Sequence, residues 1–220
     1  GIRASGVARD AIFLTTKVPH EKIGAKDFLP TAEGSLKRLG VSQVDLLLIH
    51  WPNPNIPLAE SIAELCKAKK MGLTKHIGVS NFTIAMLTEA VQLASEPLVV
   101  NQCEYHPRMD QSRLIDACRR NKMAFVSYSP LARGKLDGLA PIVNAARAHG
   151  KTENQVVLRW HVQQAGIVAI PRSSNPGRIA ENFGIWDFKL SEDEMIAISQ
   201  LARPDGRVVN PAWAPQWDPI

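Results

Sequence analysis

The sequence predicts an α/β protein of the (β/α)8 barrel type, with about six of the eight strands present in these 220 residues. Three observations support this prediction. Apolar strand-like runs alternate with amphipathic helical segments, the links between them are short, and the G-x-G fingerprint of doubly wound dinucleotide-binding folds is absent. Such alternation implies parallel strands joined by right-handed crossovers. We expect one domain over residues 1–220, with an irregular tail over residues 203–220.

Six segments are predicted as strands because they are rich in β-branched and apolar residues. They cover residues 12–18, 45–50, 76–80, 98–104, 124–129 and 166–171. Helical spacing of apolar residues predicts helices near residues 29–39, 58–71, 84–94, 112–121, 139–149, 152–164, 176–183 and 191–201. The first of these presents a stripe of Leu29, Ala32, Leu36 and Leu39, and the last begins at a capping box from Ser191 to Glu194.

Composition indicates an ordinary globular chain. It carries 26 Lys and Arg against 21 Asp and Glu, a net charge of +5, and 45% of its residues are hydrophobic. No apolar run approaches the ~20 residues that cross a bilayer, and no signal-like segment opens the chain. Cys66, Cys103 and Cys118 lie far apart without a C-x-x-C pair. We therefore expect a reducing cytoplasm, no disulfide framework and no metal site.

The surplus of positive charge is dispersed along the chain. Its densest runs, residues 67–70 and 119–122, fall where helices are expected to end, and cations there complement the helix dipole. No aromatic residues interleave with these runs in a stacking pattern. We expect no nucleic-acid partner and no membrane partner, whereas a small anionic ligand is compatible with the charge.

Polar or titratable residues lie at or just after the end of each predicted strand. They are Lys17, His50, Ser80 with Asn81, Gln102 with Glu104, Tyr128 with Ser129, and Arg172 with Ser173. In a (β/α)8 barrel the strand ends converge on one rim, where active sites lie, so six such ends predict a shared site. Each residue alone has a structural alternative: Lys17 as a solvated charge, His50 as a satisfied core histidine, and Ser80–Asn81 as the cap of the helix that begins near Thr83.

These segments, in this order, resemble the aldo-keto reductases. The resemblance is carried by residues 14–17 (LTTK), 48–52 (LIHWP), 77–82 (IGVSNF), 101–107 (NQCEYHP), 127–131 (SYSPL) and 170–173 (IPRS), followed by Arg178, Glu181 and Asn182. It covers essentially the whole chain. The tail over residues 205–218 is most similar to the bacterial 2,5-diketo-D-gluconate reductases, which are themselves similar to methylglyoxal reductases.

The resemblance implies an NADP-dependent oxidoreductase that transfers a hydride from NADPH to the carbonyl carbon of a small aldehyde or ketone. Lys17 matches the ammonium that lowers the pKa of a catalytic tyrosine, and His50 matches the imidazole that hydrogen-bonds the substrate carbonyl. Trp51, Trp213 and Trp217 match an aromatic part of the substrate pocket. A monomer is the expectation for this family.

The cofactor residues are likewise implied by the resemblance. At the nicotinamide end of the cofactor, the carboxamide would be held by Ser80, Asn81 and Gln102, and the ring would be covered by Tyr128. The pyrophosphate would be contacted by Ser129 and Leu131. At the adenosine end, the 2′-phosphate would be bound by Arg172, Ser173 and Arg178, and the adenine would be contacted by Glu181 and Asn182. Two guanidinium groups at the 2′-phosphate favour NADPH over NADH.

One departure from the family concerns its catalytic tyrosine and aspartate, which precede the strand that carries Lys17. Only eleven residues precede that strand here; none is Tyr, and Asp10 matches a turn. Tyr105 and Tyr128, the two tyrosines, match other family positions. We expect that an N-terminal segment lies outside this chain, and that a six-strand sheet leaves edges and core side chains exposed.

Three functional interpretations follow. The first is an NADPH-dependent carbonyl reductase, and the second is a module that binds NADPH without turnover. A barrel of unrelated chemistry, such as a metal-dependent hydrolase, is weaker because the six histidines form no H-x-H or H-E-x-x-H arrangement.

Overall fold

The computed structural model describes residues 1–219, except for the side chain of Arg3. Its strands are β1 (Thr15–Val18), β2 (Val44–Ile49), β3 (Thr74–Ser80), β4 (Leu98–Glu104), β5 (Ala124–Tyr128) and β6 (Ile167–Ala169), in the sheet order β1-β2-β3-β4-β5-β6. Its helices are α1 (Ile2–Ser5), α2 (Phe28–Leu39), α3 (Leu58–Lys70), α4 (Ile84–Leu93), α5 (Ser112–Arg120), α6 (Ala140–His149), α7 (Glu153–Val162), α8 (Pro176–Phe183) and α9 (Glu192–Ser199). The predicted α/β class with six strands is confirmed. Among these helices, none has the length and apolar character that a membrane span requires.

The chain contains two compact units, and the first covers Gly1–Val100. The core of this unit is built from closely packed strands. In this unit β1 pairs in parallel with β2, and β2 with β3, so that Lys17, Leu48 and Gly78 are aligned side by side. A Cβ atom at position 78 would lie 2.6 Å from the Val100 carbonyl oxygen. Only glycine therefore permits β3 to lie this close to the beginning of β4.

The second unit begins at Asn101 and contains a core of aromatic rings. β5 pairs with β6 in parallel, and Trp160 of α7 is fully buried beside Tyr105, with ring centroids 5.0 Å apart. His161 is also fully buried; its Nε2 lies 3.2 Å from the Pro130 carbonyl oxygen, and burial lowers the pKa of His161 to about 3. A neutral imidazole therefore serves as part of this core.

Some helices and strands begin or end at residues other than those predicted. β1 begins at Thr15 instead of residue 12, because the Leu14 N–H donates to the Asp45 carboxylate at 2.8 Å. Leu39 is 43% exposed, since the buried stripe of α2 begins at Phe28 and ends at Leu36. β6 ends at Ala169, although the Ile170 N–H still donates to the Ser127 carbonyl oxygen.

The capping box predicted at the start of the last helix is confirmed, and a second one is found at α7. Ser191 caps α9 and forms a reciprocal capping box with Glu194. Thr152 caps α7 in the same way through Gln155. The tail over residues 203–219 contains no helix or strand, as predicted for that segment; residue 220 lies outside the described residues.

Apolar side chains are exposed on and beside β6 and α8. Val168 is 48% exposed, Phe183 is 75% exposed and Trp186 is 61% exposed. The expectation that a six-strand sheet leaves its edges and core side chains exposed stays a prediction.

Asp45 joins three parts of the first unit through a carboxylate that is buried at the start of β2. It accepts from the Leu14 N–H and forms ion pairs of 2.8 Å with both Arg9 and Lys75. The Leu14 hydrogen bond, followed by those from Lys75 and Arg9, holds the pKa of Asp45 well below its usual range. This carboxylate therefore stays ionised to a lower pH than a free aspartate.

We predict that Asp45→Asn lowers the free energy of unfolding at pH 7 by about 1–3 kcal/mol, because buried donors lose a charged acceptor. The folded pKa lies below the unfolded value of about 3.9, so the stabilisation is complete above about pH 5 and declines as the pH falls below about 4. Urea unfolding at pH 7 and pH 3 measures both effects. Asp10→Asn, at an exposed site of the same unit, is the control; an equal effect in both variants would contradict the assignment.

Candidate functional site

Lys17 and His50 occupy the carboxyl ends of two paired strands in the first unit. Lys17 is aligned with Leu48 in the parallel register of β1 and β2, and the His50 N–H donates to the Val18 carbonyl oxygen at 2.9 Å. Because parallel strands end at the same edge of a sheet, both residues belong to one edge. The structure therefore brings these two sequence-predicted site residues together.

The positive charge of Lys17 affects the ionisation of His50. Partial burial lowers the pKa of Lys17, and partial burial together with the positive charges of Lys17 and His20 lowers the pKa of His50. His50 itself is exposed. A neutral imidazole at an exposed strand end can donate a hydrogen bond to a carbonyl oxygen, and a nearby ammonium favours negative charge that develops there.

Ser80 and Asn81 lie at the end of β3, and both are 1% exposed. Asn81 adopts a left-handed backbone conformation with φ of 64°, and its Nδ2 donates to the His50 carbonyl oxygen at 2.9 Å and to the Ser80 Oγ at 3.1 Å. The cap of α4 is Thr83, whose Oγ1 accepts from the Met86 N–H. The alternative that Ser80–Asn81 caps this helix is therefore wrong, and Asn81 instead links the ends of β2 and β3.

Trp51 follows His50 and is 8% exposed, so most of its ring belongs to the core. A ligand could meet only a small part of it. Its predicted role in a substrate pocket stays a prediction.

In the second unit, the predicted cofactor residues of β4 and β5 are Gln102 and Tyr128. Gln102 is 4% exposed, and Tyr128 ends β5 in a half-buried position. Burial raises the pKa of Tyr128, and burial also raises the pKa of Tyr105, whose hydroxyl donates to the Gln164 Oε1 at 3.0 Å. Both rings therefore stay neutral and are weaker acids than a free tyrosine, so they suit packing better than proton donation.

The loop after β5 holds unusual backbone conformations. Ser129, Ala132 and Arg133 have φ values of 48°, 45° and 54°, which cost non-glycine residues roughly 1–2 kcal/mol each. Strain of this kind is concentrated at ligand clamps and active sites. Within the loop, the Ala132 N–H donates to the Ser129 carbonyl oxygen at 2.8 Å and the Gly134 N–H donates to the Leu131 carbonyl oxygen at 2.9 Å. Ser129 and Leu131 were predicted here, whereas nothing in the residue types signals the conformations of Ala132 and Arg133.

Arg172 and Arg178 flank the beginning of α8, and both side chains are exposed. Asn175 caps this helix by accepting from the Arg178 N–H at 3.2 Å, and the Ser173 Oγ accepts from the Asn175 N–H at 3.1 Å. A helix N-terminus with two guanidinium groups fits a phosphate in its donor chemistry.

A cavity of about 670 Å³ adjoins this helix. Ser173 and Asn182 contribute to its lining, and most of the remaining lining is apolar, including Ile179 and Phe183. This volume lies within the range of small-molecule and cofactor sites. The donor set and the cavity together fit the phosphate and base of a dinucleotide.

Glu181, the other predicted adenine residue, is partly engaged within the fold. Its Oε1 accepts from the Thr152 Oγ1 at 2.6 Å, and its carbonyl oxygen accepts from Gln155 Nε2 at 3.1 Å. Glu181 therefore links α8 to the cap of α7, and its predicted contact with adenine stays a prediction.

The predicted substrate residues of the tail differ in exposure. Trp213 is 50% exposed, and Trp217 is half-buried. The Arg207 guanidinium lies 3.6 Å from the centroid of the Trp217 ring, and the Trp217 Nε1 donates to Asn210 Oδ1 at 2.9 Å. Arg207 was missed as a site residue, because its contact with Trp217 depends on how the tail folds back.

Comparison with known proteins identifies the family to which this chain belongs. The sequence model that describes the aldo/keto reductase family matches residues 1–203. The chain belongs to the aldo/keto reductase family, whose structures are (β/α)8 barrels, and the predicted fold class is confirmed.

Individual relatives agree with this assignment. Methylglyoxal reductase DkgB of Yersinia pestis is 36% identical over 220 residues, which cover 99% of this chain and 82% of that protein. The crystal structure of a protein assigned as 2,5-diketo-D-gluconic acid reductase B matches with a TM-score of 0.97 and 41% identity, over 99% of this chain and 78% of that chain.

The cofactor of the family is also supported by a solved structure. The crystal structure of a mutant of Gox0644 in complex with NADPH matches with a TM-score of 0.86 and 38% identity, over 92% of this chain and 74% of that chain. Aldo-keto reductases use NADPH, as the resemblance predicted. The residues that contact it in this chain stay predictions.

We predict that the pKa of His50 rises in Lys17→Met, because a neighbouring positive charge no longer opposes protonation of the imidazole. An NMR titration of the His50 ring measures the change. Lys22→Met is the matched control, since Lys22 pairs with Asp27 at 3.4 Å in the same unit. A His50 pKa that is equal in the Lys17 variant and the unchanged chain would refute the interaction.

Proposed function

We propose that this protein reduces small aldehydes or ketones to alcohols with NADPH, acting on methylglyoxal-like or 2,5-diketo-D-gluconate-like carbonyls. The observation that carries the proposal is the interaction between Lys17 and His50 at neighbouring strand ends. Membership of the family and the names of its relatives support the substrate class. A cytoplasmic location and a monomeric state belong to the same proposal.

Bound NADPH would supply the hydride that reaches the carbonyl carbon. In the proposed mechanism, the neutral His50 imidazole donates a hydrogen bond to the substrate oxygen and orients it. The Lys17 ammonium stabilises negative charge as it develops on that oxygen. The alkoxide must then take up a proton to become the alcohol, and in this chain solvent water at the exposed strand end of His50 would supply it. These interactions strengthen as the alkoxide forms, which is the condition for lowering the barrier instead of only binding the substrate.

The cofactor would be held by residues of matched chemistry. We propose that Ser80, Asn81 and Gln102 contact the carboxamide, that Tyr128 packs on the nicotinamide ring, and that the strained loop with Ser129 and Leu131 contacts the pyrophosphate. Arg172, Ser173 and Arg178 would bind the 2′-phosphate, and Glu181 and Asn182 the adenine. Trp51, Trp213 and Trp217 would contribute to the substrate pocket.

A second function, NADPH binding without turnover, is favoured by the state of the tyrosines. The developing alkoxide needs a proton donor, and burial raises the pKa of both Tyr105 and Tyr128. Neither ring therefore suits the acid that the family places beside its lysine. Binding and turnover must be measured separately to distinguish the two functions.

We predict that Arg172→Ala/Arg178→Ala weakens NADPH binding about tenfold to a hundredfold, the range expected when hydrogen bonds to a charged phosphate are lost. NADH affinity should change little, since NADH lacks the 2′-phosphate. Fluorescence titration with each cofactor measures this. Arg120→Ala, an exposed arginine at the end of α5, is the control. Equal losses for NADPH and NADH would argue against the assigned phosphate site.

We further predict that a polypeptide of these 220 residues alone reduces methylglyoxal very slowly while still binding NADPH. The reason is the lack of a tyrosine with a suitably low pKa among Tyr105 and Tyr128. Loss of NADPH absorbance measures turnover, and intact mass confirms the polypeptide. Turnover at the rate of a full-length relative would exclude the second function and show that another group donates the proton.

A further inference from the structure

Glu104 is a carboxylate at the end of β4 with a fully buried side chain, and the mechanism above does not use it. Its Oε1 accepts from the Val208 N–H at 2.6 Å and lies 3.0 Å from the His106 Nε2. Its Oε2 accepts from the Val209 N–H at 2.9 Å. Two of these three partners are backbone amides of the tail. A buried carboxylate is very costly without donors, so Glu104 and the tail stabilise each other.

The tail is attached a second time just before these amides. The Arg203 N–H donates to the Arg108 carbonyl oxygen at 3.2 Å. A side chain at Gly206 would collide with that same carbonyl group, because the two backbones are in direct contact there. The path of the tail is therefore determined on both sides of Arg207.

Arg207 lies between the two attachments and contacts Trp217. Its guanidinium stacks on the Trp217 ring at 3.6 Å, and Asn210, one residue beyond Val209, accepts from the Trp217 Nε1. These two contacts of Trp217 thus come from residues next to the amides that Glu104 binds. Cation–π stacking on tryptophan is the strongest contact of its kind, so it can orient the indole.

We propose that Glu104 is a positioning residue that holds the tail from within the second unit and thereby sets the orientation of Trp217. The consequence for substrates rests on the proposed function, in which Trp217 contacts the carbonyl compound. An indole with one orientation makes a flat wall for a small, compact carbonyl substrate. Release of the tail would loosen that wall.

The test is Glu104→Gln in the full 220-residue chain. The new amide group presents an N–H to a tail N–H, so one hydrogen bond is lost and the charge of the acceptor disappears. We expect the Val208 and Val209 amides to exchange with deuterium about tenfold faster or more, as for the loss of a charge-assisted hydrogen bond. Glu153→Gln is the matched control, because Glu153 accepts from the Gly138 N–H at 2.8 Å. It should leave the tail amides unchanged.

Trp217 supplies a spectroscopic signature that a merely structural role would not change. Its emission is obtained as the difference between each protein and the same protein carrying Trp217→Phe. In Glu104→Gln this emission should shift to longer wavelength, and in Arg207→Gln it should shift without faster exchange at Val208 and Val209. Unchanged exchange and unchanged emission in Glu104→Gln would overturn the proposal.

If Glu104→Gln does not fold, hydrogen exchange of the unchanged chain tests whether Glu104 holds the tail. Strong protection of the Val208 and Val209 amides from exchange supports the proposal, and exchange at the rate of an exposed amide overturns it. NADPH titration of the unchanged chain keeps the two proposals separate. Failure to bind NADPH would count against the proposed function, whereas the exchange and emission results would still decide the role of Glu104.

Discussion

The parallel register of β1, β2 and β3 is the constraint on which the first unit depends. It aligns Lys17 with Leu48 and Leu48 with Gly78, so the residues that follow each strand emerge at one edge. The close approach at Gly78 and the Asp45 ion pairs maintain this alignment from opposite ends of the strands. The electrostatic effect of Lys17 on His50 is a direct result of that geometry.

Four left-handed non-glycine residues lie at or beside the proposed site, whereas a fifth, Lys122, follows the end of α5. Asn81 is left-handed at the end of β3, and Ser129, Ala132 and Arg133 are left-handed after β5. At Asn81 the cost is offset by side-chain hydrogen bonds to His50 and Ser80. After β5 it is offset in part by hydrogen bonds between backbone groups of the loop, such as the one from the Ala132 N–H to the Ser129 carbonyl oxygen. Such loops are held in shape before a ligand arrives, which reduces the entropy lost on binding.

Much of the fold could be predicted because its signals are local. β4 occupies the predicted residues 98–104, and α8 the predicted residues 176–183. The cap at Thr83 and the hydrogen bond from Leu14 to Asp45 were not anticipated, since each depends on competition between neighbouring acceptors for one amide. The neighbouring positions of Lys17 and His50 at two strand ends could be predicted, but the hydrogen bonds of Glu104 to the tail could not. Val208, one partner of Glu104, lies 104 residues away along the chain, and no spacing rule connects them.

The direct backbone contact between Gly206 and Arg108 has a consequence for protein engineering. Tails that differ in length and aromatic content are attractive modules to exchange between related enzymes. If a transplanted tail carries any residue larger than glycine at position 206, its side chain would collide with the Arg108 carbonyl group and displace the tail. This holds even where the other tail residues pack well in the recipient protein. Chimeras should therefore be cut upstream of Arg203 and should keep the glycine together with the turn that carries the Arg108 carbonyl group.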